Sequence, residues 1–327
     1  MTQQVAILGA GGFVGSHLIQ HFQASNSFSP IGIYRSPSKM PGQLHENIRI
    51  CDATDIDQLA KTTDEIRYLI NCVSGKGATI TQNASALAKL AQARPEIRII
   101  HLSSISVYGS ASGEVDETSA LEGNTDAYSR KKTEADESLR KAGAIVLRPG
   151  IIYGKGSRLW TERIGNLLLK KRLGDLGIAG DGICNLVYVD DVVRSIESAL
   201  LRSDTLSGEA INIVASNPPT WNEYFLEFAK AYGYVPVKRI GKRRLLIESR
   251  LIAPPLKILE LVQERIGISA SLSPKPIAPS QLRLFRQRIS IVNDKACSLF
   301  GFDWTSLASG LEKIRRLTNY DDPSEAS

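Results

Sequence analysis

The chain has 327 residues, a formal net charge of +6 and 43% hydrophobic residues. This length predicts one large domain or two fused domains, and the balanced composition excludes a disordered or fibrous protein. The chain shows no signal-peptide pattern, no apolar stretch of the ~18–20 residues that a membrane span needs, and no disulfide or metal-binding spacing among its four cysteines. We therefore expect a cytoplasmic protein with reduced thiols and no metal site.

Apolar runs alternate with helical patterns through the first half of the chain. Strands are predicted at residues 5–8, 31–34, 48–50, 68–73, 97–102 and 144–147. A helix follows the first strand, where Val14, Leu18 and Phe22 recur at fourfold spacing, and two more are predicted at 83–93 and 127–142. Continuous apolar strands that alternate with helices predict an α/β fold with a doubly wound parallel Rossmann sheet.

The second half of the chain is less regular. We assign a strand at 186–189, a helix at 190–201 and a strand at 210–214 to the same sheet, and expect mostly helix beyond Pro218. The sheet domain is therefore predicted to comprise residues 1–155 and about 183–215. Residues of about 156–182 and 216–320 are assigned to a smaller, mostly helical substrate domain, and 321–327 to a disordered tail.

A glycine-rich turn follows the first strand and opens the first helix. Its glycines are Gly9, Gly12 and Gly15, and Phe13 and Val14 lie between the last two. Such glycines let the backbone turn tightly and approach a pyrophosphate, to which the helix N-terminus offers unpaired N–H groups. The position of this turn between a strand and a helix predicts a dinucleotide site at these five residues.

The residues after the second strand bear on the choice of dinucleotide. A carboxylate about twenty residues past the glycines would bind a ribose 2′-hydroxyl, but Arg35 stands there, with Lys39 close behind. An arginine suits a 2′-phosphate, so NADP is favoured over NAD. Asp52, after the third strand, is a candidate acceptor for the adenine amino group, or alternatively a helix cap.

A tyrosine and a lysine share one face of the helix predicted at 127–142. Tyr128 and Lys132 are four residues apart, so a lysine ammonium there is expected to lower the pKa of the phenol and to fit it for proton transfer. Ser103 and Ser104 end the fifth strand, at the sheet edge where ligands bind in this architecture. A hydroxyl there can bond to a substrate oxygen.

Five motifs stand in order along the chain. They are GxxGxxG at 9–15, LSSISVYG at 102–109, YxxxK at 128–132, LRPGIIYG at 147–154 and LVYVDD at 186–191. In this set the chain resembles the extended short-chain dehydrogenases/reductases, the group of NAD(P)-dependent epimerases and dehydratases. The resemblance covers most of residues 5–215 and, more loosely, the rest.

This resemblance implies roles for particular residues. Ser104 takes the place of the catalytic serine, Tyr128 that of the catalytic tyrosine, and Lys132 that of the lysine that also binds the nicotinamide ribose. The segment around Pro149 is implied to pass close to the nicotinamide. Members of the group also suggest a homodimer formed through the helices at 83–93 and 127–142.

The chain departs from its relatives in two places. Dehydratases of the group carry an acid pair where this chain has Ile105 and Ser106, so dehydration is not expected. Uridylyl-sugar epimerases carry an arginine for the diphosphate where Cys184 stands, beside Asn185, which we take as a substrate contact. The region 238–290 is also similar to that of hydroxysteroid and flavonol-type reductases.

A basic segment lies in the second half of the chain. Its six cations are accompanied by Glu248 alone: Lys238, Arg239, Lys242, Arg243, Arg244 and Arg250. The segment is either a solvated helical lid or, over 238–262, an amphipathic pair in weak peripheral contact with an anionic membrane surface. Nucleic acid is not expected as a partner because aromatic residues do not interleave with the cations.

These observations predict an NAD(P)-dependent epimerase or oxidoreductase that interconverts a secondary alcohol and a ketone. The expected small-molecule substrate is an activated, nucleotide- or lipid-linked sugar. An NADPH-dependent reductase or dehydrogenase of a sterol-like or other lipophilic substrate is the first alternative, and a non-catalytic dinucleotide-binding subunit is the second.

Overall fold

The computed structural model describes residues 3–37, 40, 47–75, 78–247 and 277–318. The tail predicted at 321–327 and the part of the 238–262 segment beyond residue 247 lie outside these residues. The chain divides into two compact units. The first comprises Met1–Ile152, Val187–Ser216 and Ile291–Thr305, and the second comprises Tyr153–Leu186, Asn217–Ser290 and Ser306–Ser327.

Eleven strands occur among the described residues. They are β1 Gln4–Leu8, β2 Ser29–Tyr34, β3 Ile48–Ile50, β4 Tyr68–Asn71, β5 Arg98–Leu102, β6 Gly113–Val115, β7 Ile145–Pro149, β8 Ile151–Tyr153, β9 Leu186–Tyr188, β10 Ala210–Ile213 and β11 Ile289–Ile291. Seven of them form one sheet in the order β10-β7-β5-β4-β1-β2-β3. All of its pairings are parallel, with Val5 of β1 opposite Pro30 and Tyr68. This arrangement confirms the doubly wound parallel sheet.

Eleven α-helices accompany the strands in the described part of the chain. They are α1 Phe13–Ser25, α2 Ile56–Thr62, α3 Thr79–Ala93, α4 Ala127–Lys141, α5 Arg163–Leu169, α6 Val189–Leu201, α7 Trp221–Ala231, α8 Lys242–Ile247, α9 Pro279–Leu284, α10 Asp294–Phe300 and α11 Leu307–Thr318. Leu18 of α1 and Ile196 of α6 contribute to one hydrophobic core of the sheet, and Leu59, Leu87 and Leu139 of α2, α3 and α4 contribute to another. The sheet is therefore covered on both faces.

Two segments differ from the sequence-based expectation. The prediction that residues 186–189 join the main sheet is wrong, because β10 occupies the place beside β7 and β9 lies outside the seven-stranded sheet. The segment Ile291–Thr305 was expected among the substrate-binding segments but is grouped with the sheet. Phe300 packs into the sheet core, and the Asn293 amide donates to the carbonyl of Val214 over 2.8 Å.

The second unit has an aromatic core built on α7. Trp221 and Phe225 of this helix are fully buried, and the ring of Phe285 lies 4.6 Å from that of Trp221, centroid to centroid. Thr220 and Glu223 form a reciprocal capping box that fixes where α7 begins. Among the described helices, none has both the length and the hydropathy needed to cross a membrane.

Candidate active site

The glycine turn between β1 and α1 is too tightly packed for side chains. Gly9 has φ +78°, and the Gly12 N–H donates to its carbonyl over 2.9 Å. A Cβ at Gly15 would lie 2.3 Å from the Gly9 carbonyl oxygen, closer than any real contact. The backbone therefore closes onto itself here only because these positions lack side chains.

The same turn leaves the N-terminus of α1 available to an anion. Gly12 is the N-cap, no side chain caps the helix, and its first turn holds no acid. Gly12 is exposed, whereas Val14 is buried in the sheet core and Phe13 is half-buried against His17. The N–H groups of this turn and the positive end of the helix dipole thus fit a pyrophosphate.

Arg35 and Asp52 lie near each other after β2 and β3. Arg35 is exposed, and its charge contributes to a lowered pKa of Asp52, of which the main cause is hydrogen bonding from Thr54. One Asp52 oxygen accepts from the Thr54 N–H over 3.0 Å and from its hydroxyl over 2.8 Å. The helix cap considered for Asp52 is instead Asp55, which accepts from the first N–H groups of α2.

Ser104 and Tyr128 come together at the carboxyl end of β5. The Ser104 hydroxyl accepts from the N–H of Ser106 over 3.1 Å and caps a short 3₁₀ turn over Ile105–Tyr108. Tyr128, in the first turn of α4, is 42% exposed and interacts with the Ser104 hydroxyl. The structure thus brings a phenol and a hydroxyl to one place at the edge of the sheet.

The pKa of Tyr128 is raised above its ordinary value. Desolvation of the phenol is the main cause, the carboxylate of Asp126 adds to it, and the hydroxyl of Ser104 opposes it. Lys132 does not lower this pKa, contrary to expectation, because its ammonium is buried and donates to the carbonyl of Leu102 over 2.9 Å. Tyr128 therefore carries its proton near neutral pH.

Lys132 is 2% exposed at the foot of this site. Burial lowers its pKa to about 8, and electrostatic interactions with Cys72 and Asp136 partly oppose that fall. Burial likewise holds the pKa of His101 well below its ordinary value, with Lys132 as a second cause. The imidazole of His101 is thus neutral, whereas Lys132 is mostly protonated at neutral pH.

A buried chain of amides fixes the state of His101. The Asn71 amide nitrogen lies 2.8 Å from the side-chain oxygen of Asn83 and 2.9 Å from His101 Nδ1. An amide nitrogen can only donate, so Nδ1 accepts and the neutral ring carries its proton on Nε2. Nε2 is buried and has no hydrogen-bond partner among the described residues.

A second buried network, which the sequence did not predict, supports the site. Asp136 accepts from Arg148 Nε over 2.9 Å, from Arg148 Nη2 over 2.7 Å and from the Ser103 hydroxyl over 2.7 Å. Arg148 Nη1 donates to the Tyr108 hydroxyl over 2.9 Å, which in turn donates to Asn212 over 2.7 Å. A lone arginine in the apolar strand β7 was the available signal for this network.

The two remaining predicted site residues lie in different units. Pro149 ends β7 in the first unit, buried and in register with Ile213 of β10. Asn185 belongs to the second unit, where it is 2% exposed and its amide donates to the carbonyl of Ile289 over 2.9 Å. That amide nitrogen therefore has a structural partner.

Comparisons with known proteins agree with this arrangement. Residues 5–214 match the model of a family described as "NAD dependent epimerase/dehydratase family". Protein YeeZ of Escherichia coli (strain K12) is 29% identical over 211 residues, which cover 62% of this chain and 73% of YeeZ. A Bacillus subtilis (strain 168) protein called "Uncharacterized UDP-glucose epimerase YtcB" is 26% identical over 246 residues, which cover 64% of this chain and 76% of YtcB.

Among solved structures, a crystal structure of UDP-glucose 4-epimerase from Thermotoga maritima with UDP-glucose superposes with a TM-score of 0.73. The superposition covers 97% of this chain and 99% of that one, at 17% identity. At this identity the likeness concerns the fold alone.

Proposed function

Because the chain belongs to the NAD-dependent epimerase/dehydratase family, we propose that it interconverts a secondary alcohol and a ketone on a nucleotide- or lipid-linked sugar. Family membership confirms the resemblance seen in the motifs. The observation that carries the proposal is the meeting of the Tyr128 phenol with the Ser104 hydroxyl at the carboxyl end of β5. This is the edge at which ligands bind in doubly wound sheets.

The residues of this site have different proposed roles in proton transfer. Ser104 binds the substrate oxygen, and Tyr128 exchanges a proton with that oxygen. Since the raised pKa keeps Tyr128 protonated near neutral pH, its phenol is ready to donate to a ketone oxygen. Lys132 supplies positive charge beneath the site and binds the nicotinamide ribose. The dinucleotide, when bound, gives or takes the hydride, which no side chain can do.

The glycine turn fits the dinucleotide. Gly9, Gly12 and Gly15 form a cradle that side chains would fill. The Gly12 N–H is bonded to the Gly9 carbonyl, so the N–H groups of Phe13 and Val14 are the donors proposed for the pyrophosphate.

The other cofactor contacts follow the ends of the strands. Arg35 favours NADP through a 2′-phosphate, and NAD is the alternative that the family description supports. Asp52 is the proposed acceptor for the adenine amino group, and Pro149 is proposed to lie beside the nicotinamide.

An epimerase is favoured over a dehydratase. Ile105 and Ser106 stand where dehydratases of the group carry acids, so these two positions lack the carboxylates that those enzymes use to eliminate water. The name of YtcB supports a sugar nucleotide as substrate. Asn185, although buried, is the residue of the second unit that we propose for substrate contact.

One observation favours a second candidate, an NADPH-dependent reductase of a lipophilic ketone. Cys184, which aligns with the diphosphate-binding arginine of uridylyl-sugar epimerases, is fully buried, and burial raises the pKa of its thiol well above the usual value. A neutral, buried thiol cannot bind a diphosphate as an arginine does.

A substrate panel separates these functions. The full chain is incubated with NADP or NAD and a set of UDP- and dTDP-linked hexoses, and separately with NADPH and keto-steroids. Epimerised sugar without net cofactor reduction supports the epimerase, and a keto sugar formed with one reduced cofactor supports a dehydrogenase. Turnover of keto-steroids alone supports the second candidate. Dinucleotide binding without turnover of either set would contradict activity on sugar nucleotides and on keto-steroids, and would favour the non-catalytic subunit.

A further inference from the structure

Two segments of the second unit, far apart in the sequence, form one basic surface. The N–H of Asp175 donates to the carbonyl of Lys238 over 3.1 Å, and the N–H of Ile240 donates to the carbonyl of Asp175 over 2.8 Å. Arg244 donates to the carbonyl of Lys171 over 3.2 Å. Eight cations define this basic surface: Lys170, Lys171, Arg172, Lys238, Arg239, Lys242, Arg243 and Arg244.

The backbone holds these cations in place. Gly174 packs so closely against the second segment that a Cβ there would lie 2.2 Å from the carbonyl oxygen of Lys238. Ile240 and Leu245 are 1% and 3% exposed and anchor the second segment in the unit. The basic surface is thus part of the folded unit, while Lys238, Lys242 and Arg243 remain exposed and form no ion pair within the described residues.

Large apolar side chains border the basic surface. Leu169 precedes Lys170 and is 49% exposed, and Ile247 ends α8 and is 50% exposed. Ile178 is 84% exposed and follows Gly177, where an added Cβ would lie 2.2 Å from Arg239 Nη2. Exposed apolar side chains beside clustered cations are typical of proteins that rest in the headgroup region of an anionic membrane.

We propose that the basic surface docks on an anionic lipid membrane. The cations bind lipid phosphates, and Leu169, Ile178 and Ile247 enter the headgroup region. Single-stranded nucleic acid is less favoured because the basic surface contains no aromatic side chain on which bases could stack. This docking does not depend on the proposed activity, and either can fail while the other stands.

Vesicle co-sedimentation of the full chain tests the docking. Phosphatidylcholine vesicles with and without phosphatidylglycerol are compared at low and high salt. We expect binding only to the anionic vesicles, weakened by salt. The variant Lys171→Glu/Lys238→Glu/Lys242→Glu/Arg243→Glu should bind at least ~100-fold more weakly, and Ile178→Ser about five-fold more weakly.

A matched variant controls for net charge. Lys61→Glu/Lys89→Glu/Lys141→Glu/Arg202→Glu changes four exposed cations of the first unit, and should keep wild-type affinity within about three-fold. Equal thermal unfolding midpoints establish that the variants are folded, and Lys242→Glu/Arg243→Glu replaces the quadruple variant if that one unfolds. Three results would each overturn the proposal. The first is that the wild-type chain does not bind anionic vesicles at low salt, and the second is that both quadruple variants lose the same amount of vesicle affinity. The third is that the wild-type chain binds a single-stranded RNA more tightly than it binds anionic vesicles.

Discussion

The Ser103 hydroxyl donates a 2.7 Å hydrogen bond to the carboxylate of Asp136, and both side chains are almost fully buried. The next residue, Ser104, caps a 3₁₀ turn and meets Tyr128 instead. Two consecutive serines therefore have separate tasks, one in the interior and one at the site. This division follows from the end of β5, where the chain leaves the strand and successive side chains take opposite directions.

Alanine at each serine should separate these tasks. Ser104→Ala removes a hydroxyl that binds the reacting oxygen, so we expect kcat to fall about 100-fold with little change in stability. Ser103→Ala leaves Asp136 short of one donor and should lower the free energy of unfolding by about 1–3 kcal/mol, with kcat nearly unchanged. Steady-state kinetics and urea unfolding of both variants check this, and the opposite pairing of effects would refute the division.

The ion pair between Asp136 and Arg148 should be needed for folding stability. Both side chains are 0% exposed, so Asp136→Ala would leave the Arg148 guanidinium buried without a counter-charge. Loss of one partner of such a pair costs about 3–5 kcal/mol. Asp204→Ala, which breaks an exposed pair with Arg98, is the matched control and should change stability far less. Similar urea midpoints for the two variants would be inconsistent with this account.

Lys132 should make the protein more stable as pH rises. Its pKa is about 8 in the folded chain, against its usual 10.5. Between these two pH values the unfolded chain binds more protons than the folded chain, so the free energy of unfolding increases with pH. Lys132→Met should remove this increase. Urea unfolding across that range compares the two proteins, and parallel pH curves would show that Lys132 is not the cause.

Tyr128→Phe should lower turnover sharply while the fold and dinucleotide binding remain. Loss of the phenolic proton is expected to lower kcat by about 10²–10⁴-fold. Tyr68→Phe is the control, because Tyr68 lies on β4 and packs edge-on against Phe28, away from the site. Once a substrate is found, the initial rates of the wild type and of both variants are compared. Full activity of Tyr128→Phe would show that Tyr128 does not transfer the proton.

Local sequence patterns predicted most of the sheet, and they placed Ser104 and Tyr128 where the structure brings them together. The strands are continuous apolar runs. The glycines lie within one turn, and Tyr128 and Lys132 lie within one helix, so their spacing along the chain is enough to predict where they stand. The sequence could not predict contacts between distant segments. The pairing of Asp136 with Arg148, the place of β9 outside the main sheet, and the joining of Lys171 to Arg244 depend on tertiary packing.

The raised pKa of Tyr128 differed from expectation for a related reason. Helical spacing put Lys132 on the same face of α4, but the direction of a long side chain depends on its partners. The ammonium donates to the carbonyl of Leu102 at the end of β5. The balance of desolvation and charge around the phenol was therefore set by residues outside the helix.

Titration calorimetry with NADPH and NADH tests the central claim, a dinucleotide site on the glycine turn, most directly. We expect the full chain to bind NADPH more tightly than NADH, and Gly15→Ala to bind neither, because its Cβ would lie 2.3 Å from the Gly9 carbonyl oxygen. Gly241→Ala, where no atom lies within 4 Å of the added Cβ, should bind like the wild type. Tighter binding of NADH than of NADPH would overturn only the proposed role of Arg35. A folded wild-type chain that binds neither dinucleotide would contradict a dinucleotide site on the glycine turn.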